Sequence, residues 1–91
     1  MYAALEIEIK KLQGPIVIFG AGGFIGANLF RVISSFREDC YAVTHQTVVP
    51  YRLDGSKEDK ILHADLTDIR SLHTIFGNHS FRTIFNLSTY G

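Results

Sequence analysis

No tryptophan occurs in the 91 residues, cysteine appears once, proline twice, and neither sign of charge prevails. Each shortage removes a class of protein. A single cysteine, Cys40, excludes a disulfide scaffold and points to a reducing, cytoplasmic compartment. Nine basic residues against nine acidic ones leave no formal net charge, so nothing suggests a nucleic-acid or membrane surface. Glu6, Glu8, Lys10 and Lys11 interrupt any apolar start, which argues against a secretory signal, and no apolar run approaches membrane-spanning length. His45, His63, His73 and His79 show no metal-ligand spacing. Internal repeats and low-complexity tracts are missing too.

What is present is apolar: 46% hydrophobic residues against 20% charged. A chain of this length makes at most one domain, and so apolar a composition predicts a sheet covered on both faces, part of a larger core. Residues 2–12 fit two patterns. Leu5, Ile7 and Ile9 alternate with charged residues as in a strand, while Tyr2, Leu5, Ile9 and Leu12 line one side of a helix. The segment reads as a short extension, residues 1–14, ended by Gly14-Pro15.

From Ile16 to Phe19 the run is continuously apolar and rich in β-branched residues, the mark of a strand buried on both faces. A helix follows, opened by Phe24 or Ile25 and running to about Phe36, with Ile25, Leu29, Val32, Ile33 and Phe36 as its inward stripe. Strands are expected at 40–44, 60–64 and 83–88, and a helix over 68–76. Thr67 or Asp68 caps that helix, Ile69, Leu72, Ile75 and Phe76 give its apolar side, and Gly77 and Asn78 stop it. Between the second and third strands lies a long loop, where Pro50 blocks a central strand and Asp54-Gly55 marks a turn. The order β-α-β-β-α-β gives an α/β fold with a mainly parallel sheet.

Four glycines crowd into seven residues between the first strand and the first helix: Gly20, Gly22, Gly23 and Gly26. Glycine tolerates the left-handed backbone of a sharp turn and lets main chain approach a ligand closely. The helix beyond directs unpaired N–H groups and its positive end at that gap, where a pyrophosphate fits without a basic side chain. Gly26 faces the other way and lets helix lie on strand. No Gly-Lys-Ser/Thr ending follows, which argues against a triphosphate-hydrolysing loop. The plainer alternative is a strand–helix turn that merely prefers glycine.

The stretch "GAGGFIG", 20–26, resembles the Gly-x-x-Gly-x-x-Gly turn of the extended short-chain dehydrogenase/reductase family, of the NAD-dependent epimerase/dehydratase type. Two later stretches, "HADLTD" at 63–68 and "TIFNLSTYG" at 83–91, sit where that family has its adenine-contacting Asp and its fourth strand. The resemblance covers residues 15–91, and implies the first half of a Rossmann-type, doubly wound domain. It also implies a cofactor, NAD or NADP, held by Gly20, Gly23, Phe24, Ile25 and Gly26 at the pyrophosphate. Asp65 and Leu66 would meet the adenine, and Asn86, Leu87 and Ser88 the pyrophosphate and nicotinamide ribose. Asp65 has the alternative of capping a turn, Asn86 that of pairing with nearby backbone, and Ser88 that of a surface residue. Tyr90 is not expected to be the family's catalytic tyrosine, as no lysine at Tyr-x-x-x-Lys spacing is seen after it in the sequence given.

At the end of the second strand the sequence departs from the family. NAD-preferring relatives place an Asp there for the ribose hydroxyls; this chain has Thr44, His45 and Gln46. Those groups are compatible with a 2'-phosphate, which Arg52 on the loop could reach, so NAD and NADP both stay open. Arg52 as solvated loop charge is the bland alternative. Glu6 and Glu8 have no acid–base partner, and Cys40 is expected to be buried and inert.

The family's hydride-transfer residues lie after the fourth strand, so the expectation is the N-terminal portion of a longer oxidoreductase, epimerase or dehydratase. Its partner would be a small-molecule substrate, a nucleotide sugar being the family's commonest choice. The open edge of the fourth strand supports the same expectation. Two other readings stand beside it. One is a non-catalytic dinucleotide-binding or redox-sensing module whose fourth strand is covered by a partner or by a homodimer; the other is a small structural domain with an empty glycine turn.

Overall fold

The computed structural model describes residues 2–45, 53 and 58–88. Its elements run α1 (Tyr2–Lys11), β1 (Ile16–Phe19), α2 (Phe24–Phe36), β2 (Cys40–Thr44), a short 3-10 turn (Glu58–Lys60), β3 (Ile61–His63), α3 (Ile69–Asn78) and β4 (Thr83–Asn86). All three strand pairings are parallel and the sheet order is β3-β2-β1-β4. The α/β, Rossmann-type arrangement read from the sequence is therefore the fold.

The first segment is a helix. Strand alternation would have buried Leu5, Ile7 and Ile9 together, yet Leu5 and Ile7 are exposed and only Ile9 enters the core, with Leu12 packed beside it. Glu6 and Lys10 pair across one turn at 3.3 Å, and Glu8 and Lys11 at 3.6 Å, an arrangement that belongs to helical spacing. Arg37 closes the C-terminal end: its Nη1 donates to the carbonyls of Ile9 and Leu12 at 3.0 and 2.6 Å. Its other two nitrogens grip the Asp39 carboxylate at 2.9 and 2.7 Å.

Alternate residues of β1 divide the core in two. Ile16 and Ile18 join Cys40, Ala42 and the α2 residues Ala27, Phe30 and Ile33 on one face, with Ile9 and Leu53. Val17 and Phe19 join Val43, Ala64 and Ile75 of α3 on the other. Both faces are covered over β1 and β2.

Several helix expectations need correction. α2 turns Gly26, Ala27, Phe30 and Ile33 inward, while Ile25 is 69% exposed. Close contact between α2 and the glycine turn admits only small residues near the helix start, so the buried face rotates away from Ile25. In α3, Ile75 is buried and Leu72 half-buried, but Ile69 and Phe76 are exposed. α3 also continues through Gly77 and ends at Asn78, with His79 as its C-cap, whose N–H donates to the Ile75 carbonyl at 3.1 Å. Gly77 therefore does not stop the helix, and a Cβ there would meet open space, whereas Asn78 is its last residue. Strands three and four are shorter than expected, beginning at Ile61 and ending at Asn86 respectively. Pro50 and the Asp54-Gly55 turn lie outside the described residues.

Candidate functional site

β1 lies between β2 and β4, so the chain crosses to one side of it through α2 and to the other through α3. The carboxyl ends of parallel strands diverge at such a point and leave a crevice. A cleft of about 580 Å³ opens there, within the size range of small-molecule sites.

Its floor is the glycine turn. Gly20 has φ +79°, a left-handed conformation that side chains resist. A Cβ on Gly20 would also stand 2.7 Å from the Leu87 carbonyl carbon. Gly23 N–H donates back to the Gly20 carbonyl at 3.2 Å and closes the turn. Gly23 is then the N-cap of α2, with no side chain capping the helix, and the first bond into α2 runs from Ala27 N–H to the Gly23 carbonyl at 2.9 Å. The amides of Phe24, Ile25 and Gly26 precede that bond at the positive end of the helix. Gly26 works from behind: its Cβ would overlap the Gly20 carbonyl oxygen and stand 2.9 Å from Ala21 Cα. Gly23 is the opposite case. Its Cβ would meet only the Gly20 oxygen, at 3.5 Å, so it leaves open a cradle that a larger side chain would fill.

The walls come from three strand ends. Val43, Thr44 and His45 close β2, Ala64, Asp65 and Leu66 follow β3, and Leu87 and Ser88 follow β4. Ladder hydrogen bonds extend past the strands to hold these segments: Ala64 N–H to the Thr44 carbonyl at 3.0 Å, and Leu87 N–H to the Phe19 carbonyl at 2.9 Å. Thr44 is buried, whereas His45 is exposed.

Asp65 Oδ1 accepts from the Thr67 amide at 2.9 Å and from the Thr67 hydroxyl at 2.6 Å. These bonds, the hydroxyl's first, hold the carboxyl below its ordinary range, with a smaller contribution from His45. Asp65 thus makes the turn contact allowed for it, through one of its two oxygens. The helix cap is a different residue, Asp68, which accepts from Arg70 N–H at 2.9 Å. Asn86 likewise takes its local alternative, accepting from Ser88 N–H at 3.1 Å through Oδ1.

Of the residues anticipated from the sequence, Gly20, Gly23, Thr44, His45, Asp65, Leu66, Leu87 and Ser88 meet in this one cleft. Phe24 and Ile25 stand on the first turn of α2, both 69% exposed; Gly26 lies behind the turn and Asn86 one position before the wall. Arg52 lies outside the described residues, as do Gln46 and Tyr90. Phe19, Gly22, Val43 and Ala64 line the cleft without having been singled out as site residues. Each stands at or just past a strand end or in the turn, so the crevice position of parallel strands was the signal that would have found them. His45 and Asp65 are, among the described residues, the titratable side chains that line the cleft. Among the described residues no cluster of three metal-ligating side chains occurs, and no helix is long and apolar enough to cross a membrane.

Cys40 is buried at the start of β2, and loss of solvent pushes its thiol up to about 12.

A family model described as the NAD dependent epimerase/dehydratase family matches residues 16–91. No curated protein and no solved structure matches the chain.

Proposed function

The chain belongs to the NAD dependent epimerase/dehydratase family, and on that premise we propose that the cleft binds a nicotinamide dinucleotide, NAD or NADP. The carrying observation is the open cradle at Gly23, facing the uncapped start of α2 at the sheet's crossing point. Anionic groups favour such a helix end, and no side chain competes for its amides. The pyrophosphate would lie over Gly20 and Gly23 against the amides of Phe24, Ile25 and Gly26. The adenine would rest beside Leu66 with the free oxygen of Asp65 toward its amino group, and its ribose beside Thr44 and His45. Asn86, Leu87 and Ser88 would flank the nicotinamide ribose.

When bound, the nicotinamide supplies hydride transfer. The residues of this chain orient it: Gly20 and Gly23 by allowing backbone approach, Asp65 by remaining ionised, and Leu87 by walling the far end. The protein as a whole then acts as an epimerase, dehydratase or reductase on a small molecule, with a nucleotide-activated sugar as the proposed substrate class.

Calorimetric titration with NAD and NADP tests the reading. Saturable binding of one dinucleotide per chain, lost in Gly23→Val, is expected; absence of binding by both would overturn it. Oxidation or reduction of the cofactor by a longer chain that carries the residues after the fourth strand would support the enzyme, and binding without it in that longer chain would favour the dinucleotide-binding module.

A further inference from the structure

Resting on the dinucleotide reading, we propose that Thr67, outside the cleft, is the positioning residue for the base end of the dinucleotide. Its hydroxyl holds Asp65 so that one carboxylate oxygen stays open to the exocyclic amino group of adenine.

Thr67 does not line the cleft, and it does not cap α3, which Asp68 does. Both of its donors converge instead on a single atom. The amide meets Asp65 Oδ1 at 2.9 Å, and the hydroxyl meets the same oxygen at 2.6 Å. The main chain on either side is tied as well. Ala64 N–H joins the Thr44 carbonyl at 3.0 Å, and Asp68 N–H returns to the Asp65 carbonyl at 3.0 Å. With the backbone of the turn fixed, the freedom left to Asp65 is rotation of its side chain. Two donors on Oδ1 restrain that rotation and leave Oδ2 as the oxygen for a ligand.

The charge state follows from the same contacts. The hydroxyl first, and the amide second, hold the carboxyl below its ordinary range. Asp65 is therefore an acceptor alone at neutral pH. A fixed acceptor suits the 6-amino group of adenine and opposes the 6-oxo group of hypoxanthine. Hypoxanthine carries its own donor at N1, which a carboxylate that swings can reach and one that is held cannot. Leu66, half-buried in the same wall, gives either ring an apolar surface and does not tell them apart. Without the Thr67 hydroxyl, one neutral amide is left to restrain an exposed carboxylate, and the two oxygens compete for it. Selectivity at the base then depends on Thr67.

Calorimetric titration of the full chain with NAD and with nicotinamide hypoxanthine dinucleotide, which differ in the base alone, tests the proposal. The unaltered chain should bind NAD roughly tenfold more tightly, the size of one hydrogen bond to a charged group. Thr67→Val, which keeps the branched shape and the amide, should lower that ratio to about threefold or less. Thr67→Ala, which adds no bulk, should do the same and guards against a turn disturbed by valine. Thr67→Ser should restore the ratio, because the hydroxyl returns. No preference in the unaltered chain, or a ratio unchanged in Thr67→Val and Thr67→Ala, overturns the positioning role and leaves the dinucleotide reading intact. So does a loss that Thr67→Ser fails to restore, which would make Thr67 a residue of the turn's structure only. Failure of both dinucleotides to bind the unaltered chain overturns the dinucleotide reading, and the positioning role with it.

Discussion

Gly20 and Leu87 meet backbone to backbone: a Cβ on Gly20 would lie 2.7 Å from the Leu87 carbonyl carbon and 2.8 Å from its oxygen. The first strand–helix turn and the exit of the last strand thereby share one wall of the cleft, although 67 positions separate them in the chain. Neither can shift without the other, and this sets apart the roles of the glycines.

Gly20→Ala and Gly23→Val should fail in different ways. At Gly20 the new Cβ meets main chain at φ +79°, so the expected loss is roughly 2 kcal/mol or more of folding stability. At Gly23 the first added atom meets only an ordinary contact at 3.5 Å, and stability should change by less than about 1 kcal/mol while dinucleotide binding disappears. Thermal melts and calorimetric titrations of the two variants separate these outcomes. Unchanged affinity in Gly23→Val would remove the phosphate from the glycine turn.

Arg37→Ala should loosen α1. The guanidinium donates to two carbonyls at the end of that helix and to both oxygens of Asp39, with its own side chain only 15% exposed. Losing these bonds is expected to cost about 2 kcal/mol, after allowance for the half-exposed carboxylate. Hydrogen exchange should show the α1 amides losing protection before those of β1. Equal protection of α1 in both proteins would mean that Ile9 burial alone holds the helix.

Acid should act partly through Asp39. The hydrogen bonds from Arg37 are the main cause that holds its carboxyl below the ordinary 3.8, outweighing the opposing effect of partial burial. Its contribution to stability is therefore complete above that unfolded-state value and is lost as pH falls through the lower folded-state value. Melts taken downward from about pH 5 should show a smaller acid loss in Asp39→Asn than in the unaltered chain. Parallel curves would assign the acid sensitivity to other carboxylates, Asp65 first.

Cys40 should be silent in the folded protein. With its thiol pushed up to about 12 by burial, almost none is thiolate at neutral pH. A thiol reagent is expected to label it at the rate of unfolding, and denaturant should make labelling immediate. Rapid labelling of the native chain would show that the start of β2 opens to solvent.

The sequence by itself determined whatever neighbouring residues decide among themselves. Ile16–Phe19 is a buried strand because nothing polar interrupts it, and the left-handed turn at Gly20 needs glycine whatever surrounds it. Parallel order followed from the alternation of strands and helices, and with it the crevice at the strand ends. Residues 2–12 were undecidable on the same terms, because Leu5 and Ile9 satisfy a period of two and a period of four alike. Only tertiary contacts chose the helix: Ile9 reaches the core shared with Phe30 and Ile33, and Arg37 reaches back across 28 positions to cap it. Tertiary contact also turned α2 so that Gly26 and Ala27, rather than Ile25, face the sheet. The cleft itself belongs to this second class. Gly23, His45, Asp65 and Ser88 come from four separate segments, and it is parallel pairing across long crossovers that brings their ends together.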